Sequence, residues 1–373
     1  MKKAFLLSAY LFANGLFVYK YGYRITPHGF GLIAAYGAFA AAVLLILVKM
    51  PDKFFSNRTL WILAALVCAG AAIALQLRSQ TGLRVDRHEM VRLFWDNAFS
   101  GQNPYLPENP QSNVPGPFPF YFILALPFKG IGEMGYFSLS GVIVFMLLVR
   151  SAPADDRRKT AAMVLCAVSP AVWYEIVARS TVFLNAVLIL AWMILAENTR
   201  GRASRITAFV WGFSLGCLLC TRSIAFFMLV PFLRRLRTLP AVAGFAREWI
   251  SGTFLGFFLF LAPLLLFDSF RHGVNPFSIQ ASIMPAWLAA PVFIAFVAAS
   301  FRTSSFENVL FLESVFLFLL LAVYILDKTV RFGWNAVVFR HHADISYLLF
   351  VLPAALYTGL LTGSLGARRD AGA

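Results

Sequence analysis

Charge is scarce in this sequence: Asp, Glu, Lys and Arg make up only 13% of its 373 residues, about half the share of a soluble domain. With a hydrophobic fraction of 60%, that scarcity excludes a separate soluble domain. Acidic residues are scarcer than basic ones, 17 against 32, for a net charge of +15. Such an excess would suit nucleic acid, but the Lys and Arg fall in short clusters between apolar runs. There they act as topology determinants beside anionic membrane lipids, and no nucleic-acid partner is expected. Cysteine is also rare. Cys68, Cys166, Cys217 and Cys220 all lie inside apolar runs, which excludes a disulfide framework and a zinc-like spacing. Apolar and polar residues do not alternate over stretches of about ten, so a β-barrel is excluded. A Walker loop, a dinucleotide fingerprint, HExxH and GxSxG are all missing from any usable context. A small-residue cleavage site is missing after Met1-Lys2-Lys3 and its apolar stretch, which predicts an uncleaved first helix.

What is there is a series of nearly uncharged runs, each long enough to span or nearly span a bilayer core as a helix. They fall at 4–19, 29–49, 60–77, 134–150, 160–178, 181–197, 206–221, 223–233, 246–267, 285–300, 306–326 and 345–362. The expected fold is therefore all-α, a polytopic membrane bundle of about 12 spans forming one transmembrane domain over 1–373. With both termini cytoplasmic, 19 of the 32 Lys and Arg fall inside and 13 outside, the sign that the positive-inside bias requires. The segment 117–133 has only about eleven consecutive apolar residues bounded by prolines, too short to cross. It is expected to lie at the outer interface. Crossing would move every later loop to the other side and reverse the charge bias.

The longest polar connection then lies outside, within an outer loop covering 78–133. It opens with an amphipathic stretch in which Val85, Val91, Phe94, Trp95, Ala98 and Phe99 stand among charged residues, the pattern of an interfacial helix. Gly101-Gln102-Asn103-Pro104-Tyr105 ends it. Asp86 stands at the start of this helix among Arg84, Arg87, His88, Glu89 and Arg92. A carboxylate at the mouth of a low-dielectric cavity can take a proton from a hydroxyl, and adjacent arginines can hold a phosphate. A solvated, salt-bridged helix accounts for the same residues.

Other polar residues sit at the outer helix ends. Arg222 interrupts an apolar stretch from 206 to 233, where an arginine either binds a phosphate or snorkels to the interface. Arg179 and Glu175, four apart, either contribute to a site or pair with each other. His341 and His342 precede the last run, as ligand contacts or as a surface loop; without carboxylates at a fixed spacing they make a poor metal site. Asp268, Arg271 and His272 form another short outer cluster, and Asp96 is expected on the exposed face of the interfacial helix.

The order of an acid at Asp86, the turn Gly101-Gln102-Asn103-Pro104-Tyr105, then Gly116-Pro117-Phe118-Pro119 and a short apolar run ending at Pro127 resembles the first outer loop of GT-C glycosyltransferases. The likeness is nearest to the polyprenyl-phosphate-mannose-dependent mannosyltransferases. It covers about 45 residues here, with a looser similarity over about 15 near His341-His342-Ala343-Asp344 and Leu352-Pro353. The resemblance implies a GT-C-like fold and Asp86 as the catalytic base. It also implies a polyprenyl-phosphate sugar as donor, with mannose favoured, and a lipid or glycan as acceptor. Arg84, Arg87, His88, Glu89, Tyr105, Arg179, Arg222, His341 and His342 become substrate-binding candidates. Two departures stand out. Arg87 follows Asp86 where many members carry an acidic doublet, which bears on the Mg or Mn dependence of some relatives; and the paired-proline step reads Phe118-Pro119-Phe120.

The compact chain points to a bacterial inner membrane. A transporter or flippase of a lipid-linked or anionic substrate is the alternative. Such proteins keep charges at mid-membrane and often show two similar halves. Here the charges gather at outer helix ends and no half-repeat is visible.

Overall fold

A backbone in hydrocarbon must satisfy its own N–H and C=O groups, and a helix does so within one segment. In the computed structural model every described element is helical. The structure describes residues 1–23, 26, 28–78, 87–106, 115–199, 204–232, 235–236, 240–267, 270–271, 273, 275–277, 286–303, 305–340 and 343–362.

In chain order the helices are α1 (Lys2–Gly22), α2 (Gly29–Lys49), α3 (Asn57–Leu77), α4 (Arg87–Phe99), α5 (Pro119–Ile131) and α6 (Gly135–Ser151). Next come α7 (Asp156–Ala167), α8 (Pro170–Val177), α9 (Val182–Asn198), α10 (Arg205–Leu219) and α11 (Ile224–Leu229). The last are α12 (Pro240–Gly244), α13 (Ala246–Leu261), α14 (Ala286–Ser300), α15 (Phe306–Phe332), α16 (Trp334–Phe339) and α17 (Val351–Leu361). Among the described residues four segments are long and apolar enough to cross a membrane: α2, α3, Ala246–Leu266 and α15. The number rises to six if the broken pairs α5 with α6 and α7 with α8 each count as one span. Long apolar helices of this kind fit a membrane protein.

The chain divides into two interleaved units. The first comprises Met1–Ser79, Ser138–Val187 and Leu310–Ala373. In it α1 packs on α2 and α17, while α7 packs on α3 and α17. The buried face of α1 carries Leu6, Ala9, Tyr10, Ala13 and Phe17, recurring every three or four residues. A polar cluster is buried there. Tyr36 donates to the Tyr10 hydroxyl at 3.1 Å, and Tyr10 donates to the Leu165 carbonyl at 2.7 Å. Ser169 donates to Asn14 Oδ1 at 2.6 Å and accepts from the Val172 N–H. Pro170 has no N–H to give and sits at the first position of α8, so the run 160–178 breaks into α7 and α8 with a 54° bend.

The second unit comprises Gln80–Phe137 and Leu188–Val309. Its tightest packing joins α10 to α13. Gly212 and Gly216 on one helix face Gly252 and Gly256 on the other. A Cβ added at any of the four would strike backbone of the opposite helix: at Trp249, Thr253, Phe209 and Phe213 respectively. Small residues four apart allow this approach, and close backbone contact is what drives helix association where lipid removes the hydrophobic effect.

Several expected runs are shorter than a bilayer. The run 223–233 forms α11, only 6 residues, and a 3-10 turn at Val230–Phe232. Pro231 cannot continue an α-helix, because its ring clashes with the carbonyl four residues back. The run 345–362 likewise opens as a 3-10 turn, Ile345–Phe350, before α17. In the segment expected not to cross, α5 has 13 residues, about 20 Å of helix against a core of about 30 Å.

Candidate functional site

The outer-loop motif folds within the second unit. The amphipathic stretch forms α4, with Met90, Val91, Phe94 and Asn97 buried. Phe99, expected on the apolar face, is instead 70% exposed. The helix stops where the glycine predicts: Gly101 has φ 71, a left-handed conformation suited to a residue without Cβ, and Gln102 N–H returns to the Asn97 carbonyl at 2.9 Å. Arg87, His88 and Glu89 form the first turn of α4, all partly exposed.

The charged face of α4 is an ion-pair ladder. Arg92 lies 3.6 Å from Glu89 and 3.4 Å from Asp96, and Asp96 also meets Lys129 of α5 at 3.1 Å. Asp96 is therefore not simply exposed; it ties α4 to α5. The apolar side is tied by Phe94 stacked on Phe122 at 3.8 Å and by Trp95 Nε1 donating to the Phe122 carbonyl at 3.0 Å. Glu89 is drawn into the ladder, a structural part for one of the candidate substrate-binding residues.

Beyond Gly101 the chain turns inward. Asn103 Oδ1 accepts the Tyr105 N–H at 3.0 Å, a side-chain turn that drives Tyr105 into the protein. Tyr105 is completely buried, its ring edge-on to Phe94 at 5.4 Å, and its hydroxyl donates to the Pro117 carbonyl at 2.8 Å. Burial pushes this phenol well above its ordinary range, so it acts as a neutral donor. The Gly-x-x-Pro-Tyr turn and the proline segment, separate in sequence, are thus joined by one hydrogen bond. The join continues: Phe118 N–H donates to the Thr221 carbonyl at 2.8 Å, and Phe120 N–H donates to the Cys220 carbonyl at 3.0 Å.

That pairing delivers Arg222. It lies in the break between α10 and α11, with its guanidinium 5.3 Å from the Tyr121 ring centre. Its Nε is buried without a hydrogen-bond partner, and no ion pair involving it occurs among the described residues. A cation on an aromatic face with a dry, unused donor is suited to an oxyanion.

Arg179 belongs to the first unit and is put to another use. It is fully buried with φ 54, and it donates to the carbonyls of Val177 at 2.7 Å, Leu75 at 3.2 Å and Arg78 at 2.7 Å. Two of these close the C-terminal end of α3, where carbonyls lack partners within the helix. Glu175 Oε1 accepts the Phe183 N–H at 3.0 Å, holding the turn into α9. Arg84, Asp86, Asp268, His272, His341 and His342 lie outside the described residues. Arg271 is described and exposed.

The resemblance raises a divalent metal, and Asp86, His341 and His342 lie outside the described residues that bear on it. Among the described residues no three His, Cys, Asp or Glu converge, and Glu89 is engaged with Arg92.

One residue of chemical interest escapes the sequence patterns followed above. Glu313, in the part of α15 within the first unit, is completely buried, and neither carboxyl oxygen has a hydrogen-bond partner. The signal was available: an acid seven residues into an apolar run is a functional candidate by default. If Glu313 has only a structural part, Glu313→Leu should stabilise the protein by about 1–3 kcal/mol, the usual cost of an unsatisfied buried polar group. Denaturant titration in mild detergent measures this; a stable but inactive variant would instead give the acid a part in function.

Comparison of the chain with family models, with curated proteins and with solved structures finds no match to any of them.

Proposed function

We propose that this protein is a GT-C-type membrane glycosyltransferase. It moves a sugar, with mannose the first candidate, from a polyprenyl-phosphate donor to a lipid or glycan acceptor on the outer face of a bacterial inner membrane. The observation that carries the proposal is the junction of the turn Gly101–Tyr105, the segment Pro117–Phe120 and Arg222, made by Tyr105 on the Pro117 carbonyl and Phe118 on the Thr221 carbonyl. Three stretches named from sequence for one chemistry are neighbours in one unit. The proposed topology of about 12 passes, with the loop 78–133 outside, puts this junction at the exoplasmic surface.

In the proposed mechanism the donor enters sideways from the outer leaflet and its phosphate lies on Arg222. Asp86, one residue before the first turn of α4, takes the proton of the acceptor hydroxyl as that oxygen attacks the anomeric carbon. The bond from the anomeric carbon to the phosphate oxygen breaks, and polyprenyl phosphate leaves with the bonding pair. One displacement inverts the anomeric configuration. The leaving phosphate is a weak base, so cationic stabilisation replaces a general acid. No step is routed through a metal.

The decisive assay incubates purified protein with a panel of radiolabelled polyprenyl-phosphate sugars and candidate acceptors. Transfer or hydrolysis from one donor supports the proposal; none from any donor, with flipping of a lipid-linked substrate in vesicles, supports the transporter alternative. Within the active case, Arg222→Gln is expected to lower kcat/KM about 10–100-fold, mostly through donor KM, as for loss of one charge-assisted phosphate contact. An unchanged donor KM would remove Arg222 from the site.

A further inference from the structure

A second candidate site lies in the first unit, lined by residues that have no part in the proposed mechanism. Trp61, Ala64, Ala65 and Cys68 of α3 and Ile143, Met146, Leu147 and Arg150 of α6 border a groove of about 270 Å³, floored by Leu60 and Met163. On each helix these positions recur at three and four, so both present a face two turns long, about 10 Å. Ala64, Ala65 and Cys68 make the α3 wall concave by their small size. The rims are exposed: Trp61 is 49%, Ile143 39% and Leu147 46% accessible. Apart from Arg150 the lining is apolar, so the groove suits a hydrocarbon chain rather than water.

Arg150 closes one end and is held for a purpose. Its Nε donates to Asn57 Oδ1 at 2.9 Å, and its guanidinium lies over the Trp61 ring at 4.6 Å. Neither contact uses the Nη groups, and Arg150 has no ion pair among the described residues. The planar fork is therefore pre-oriented, with its outer edge free for two oxygens of one anion. The surroundings favour an anion as well. Asp52, Asp155 and Asp156 are each engaged, by Arg157 at 2.8 Å, Arg158 at 3.0 Å and Lys159 at 3.8 Å. Arg157 also donates to the carbonyls of Val48 and Met50, bringing the end of α2 to the same place. Lys49, Lys53, Arg58 and Arg150 are left there without an acidic partner among the described residues.

We propose that this groove seats an acyl chain of an anionic glycerophospholipid, with the lipid phosphate on Arg150. Apolar walls on two membrane-type helices, a steered arginine at the groove end and uncompensated positive charge around it together specify a two-part ligand. A free phosphate would use only Arg150, and a neutral lipid would use only the groove.

The test is native mass spectrometry of the full chain in detergent, titrated with phosphatidylglycerol or phosphatidylcholine of matched chains. Phosphatidylglycerol is expected to bind at least about ten-fold more tightly, the difference one charge-assisted contact supplies. Arg150→Gln should erase that preference, and Ala65→Leu, which fills the groove, should reduce occupancy by both lipids. Asn57→Ala releases the arginine without altering charge or groove, and should weaken phosphatidylglycerol alone by a few-fold. Millimolar glycerol phosphate should not displace the lipid; displacement would mean a free-anion site and overturn the proposal. Undiminished preference in Arg150→Gln, undiminished occupancy in Ala65→Leu, or a protein dimer in place of lipid would overturn it too. Circular dichroism and gel filtration identify a misfolded variant, in which case Asn57→Ala decides.

Discussion

Asp86→Asn is expected to reduce sugar transfer by about 10²–10⁴-fold, the range for loss of a positioned general base, while donor lipid still binds. The amide is nearly isosteric with the carboxylate but cannot accept the acceptor's proton at working pH. Because the phosphate contact is assigned to Arg222 and not to Asp86, donor affinity should change little. Single-turnover transfer and equilibrium binding of the same labelled donor separate the two effects. A transporter would behave otherwise: a surface carboxylate outside the conduction path should alter flux modestly at most. Loss of donor binding in parallel with turnover would mean that Asp86 holds the substrate or the fold instead of moving a proton. Asp86→Glu is the companion variant, keeping the base and displacing it by one methylene; partial recovery is expected.

Gly216→Leu is expected to disrupt the second unit. The space for a side chain there is occupied by Thr253 backbone, and Gly256 returns the same closeness toward Phe213. Neither neighbour is a flexible side chain that could swing aside, so the helices must separate along their length. The loss is expected at about 3 kcal/mol or more, the top of the usual overpacking range, because backbone and not a rotamer has to move. Unfolding midpoints in detergent measure it. Gly244→Leu is the internal control: no atom lies within 4 Å of a Cβ added at that glycine, and the midpoint should stay near that of the parent. A small change in Gly216→Leu would show that α10 and α13 are not held by this interface. If the variant folds, its transfer activity should also fall, since α10 ends beside Cys220 and Thr221, whose carbonyls hold the proline segment.

Much of the local structure around the candidate site was legible in the sequence. Gly101 predicts the end of α4 because only a residue without Cβ adopts its left-handed backbone at low cost. The alternation of Val91 and Phe94 with Arg92 predicts an amphipathic helix, and α4 is one. The short apolar segment after Phe118 gives a 13-residue helix. The failures have causes too. Phe99 reads as part of the apolar face but is the last residue of α4, stacked on Trp95 and left largely exposed. Arg179 reads either as part of a site or as a partner of Glu175; it donates to carbonyls, which sequence does not display. The glycines at 212/216 and 252/256 stand four apart, and nothing in either run alone says that they face each other.

Composition by itself determined that the chain is helical and built for a membrane, because long uncharged runs in hydrocarbon leave the backbone no other way to satisfy its hydrogen bonds. Local spacing determined where α4 stops, at Gly101, since that residue acts through its own backbone geometry; the breaks at Pro170 and Pro231 fall inside runs that read as continuous. Only the tertiary structure decided which charges are available for chemistry. Arg222 keeps a buried, unshared Nε while Arg179 spends its donors on the end of α3 and Glu89 is bound into a ladder. Sequence does not show which of the three is free, because the availability of a polar group is set by which carbonyl or carboxylate folding brings within about 3 Å of it.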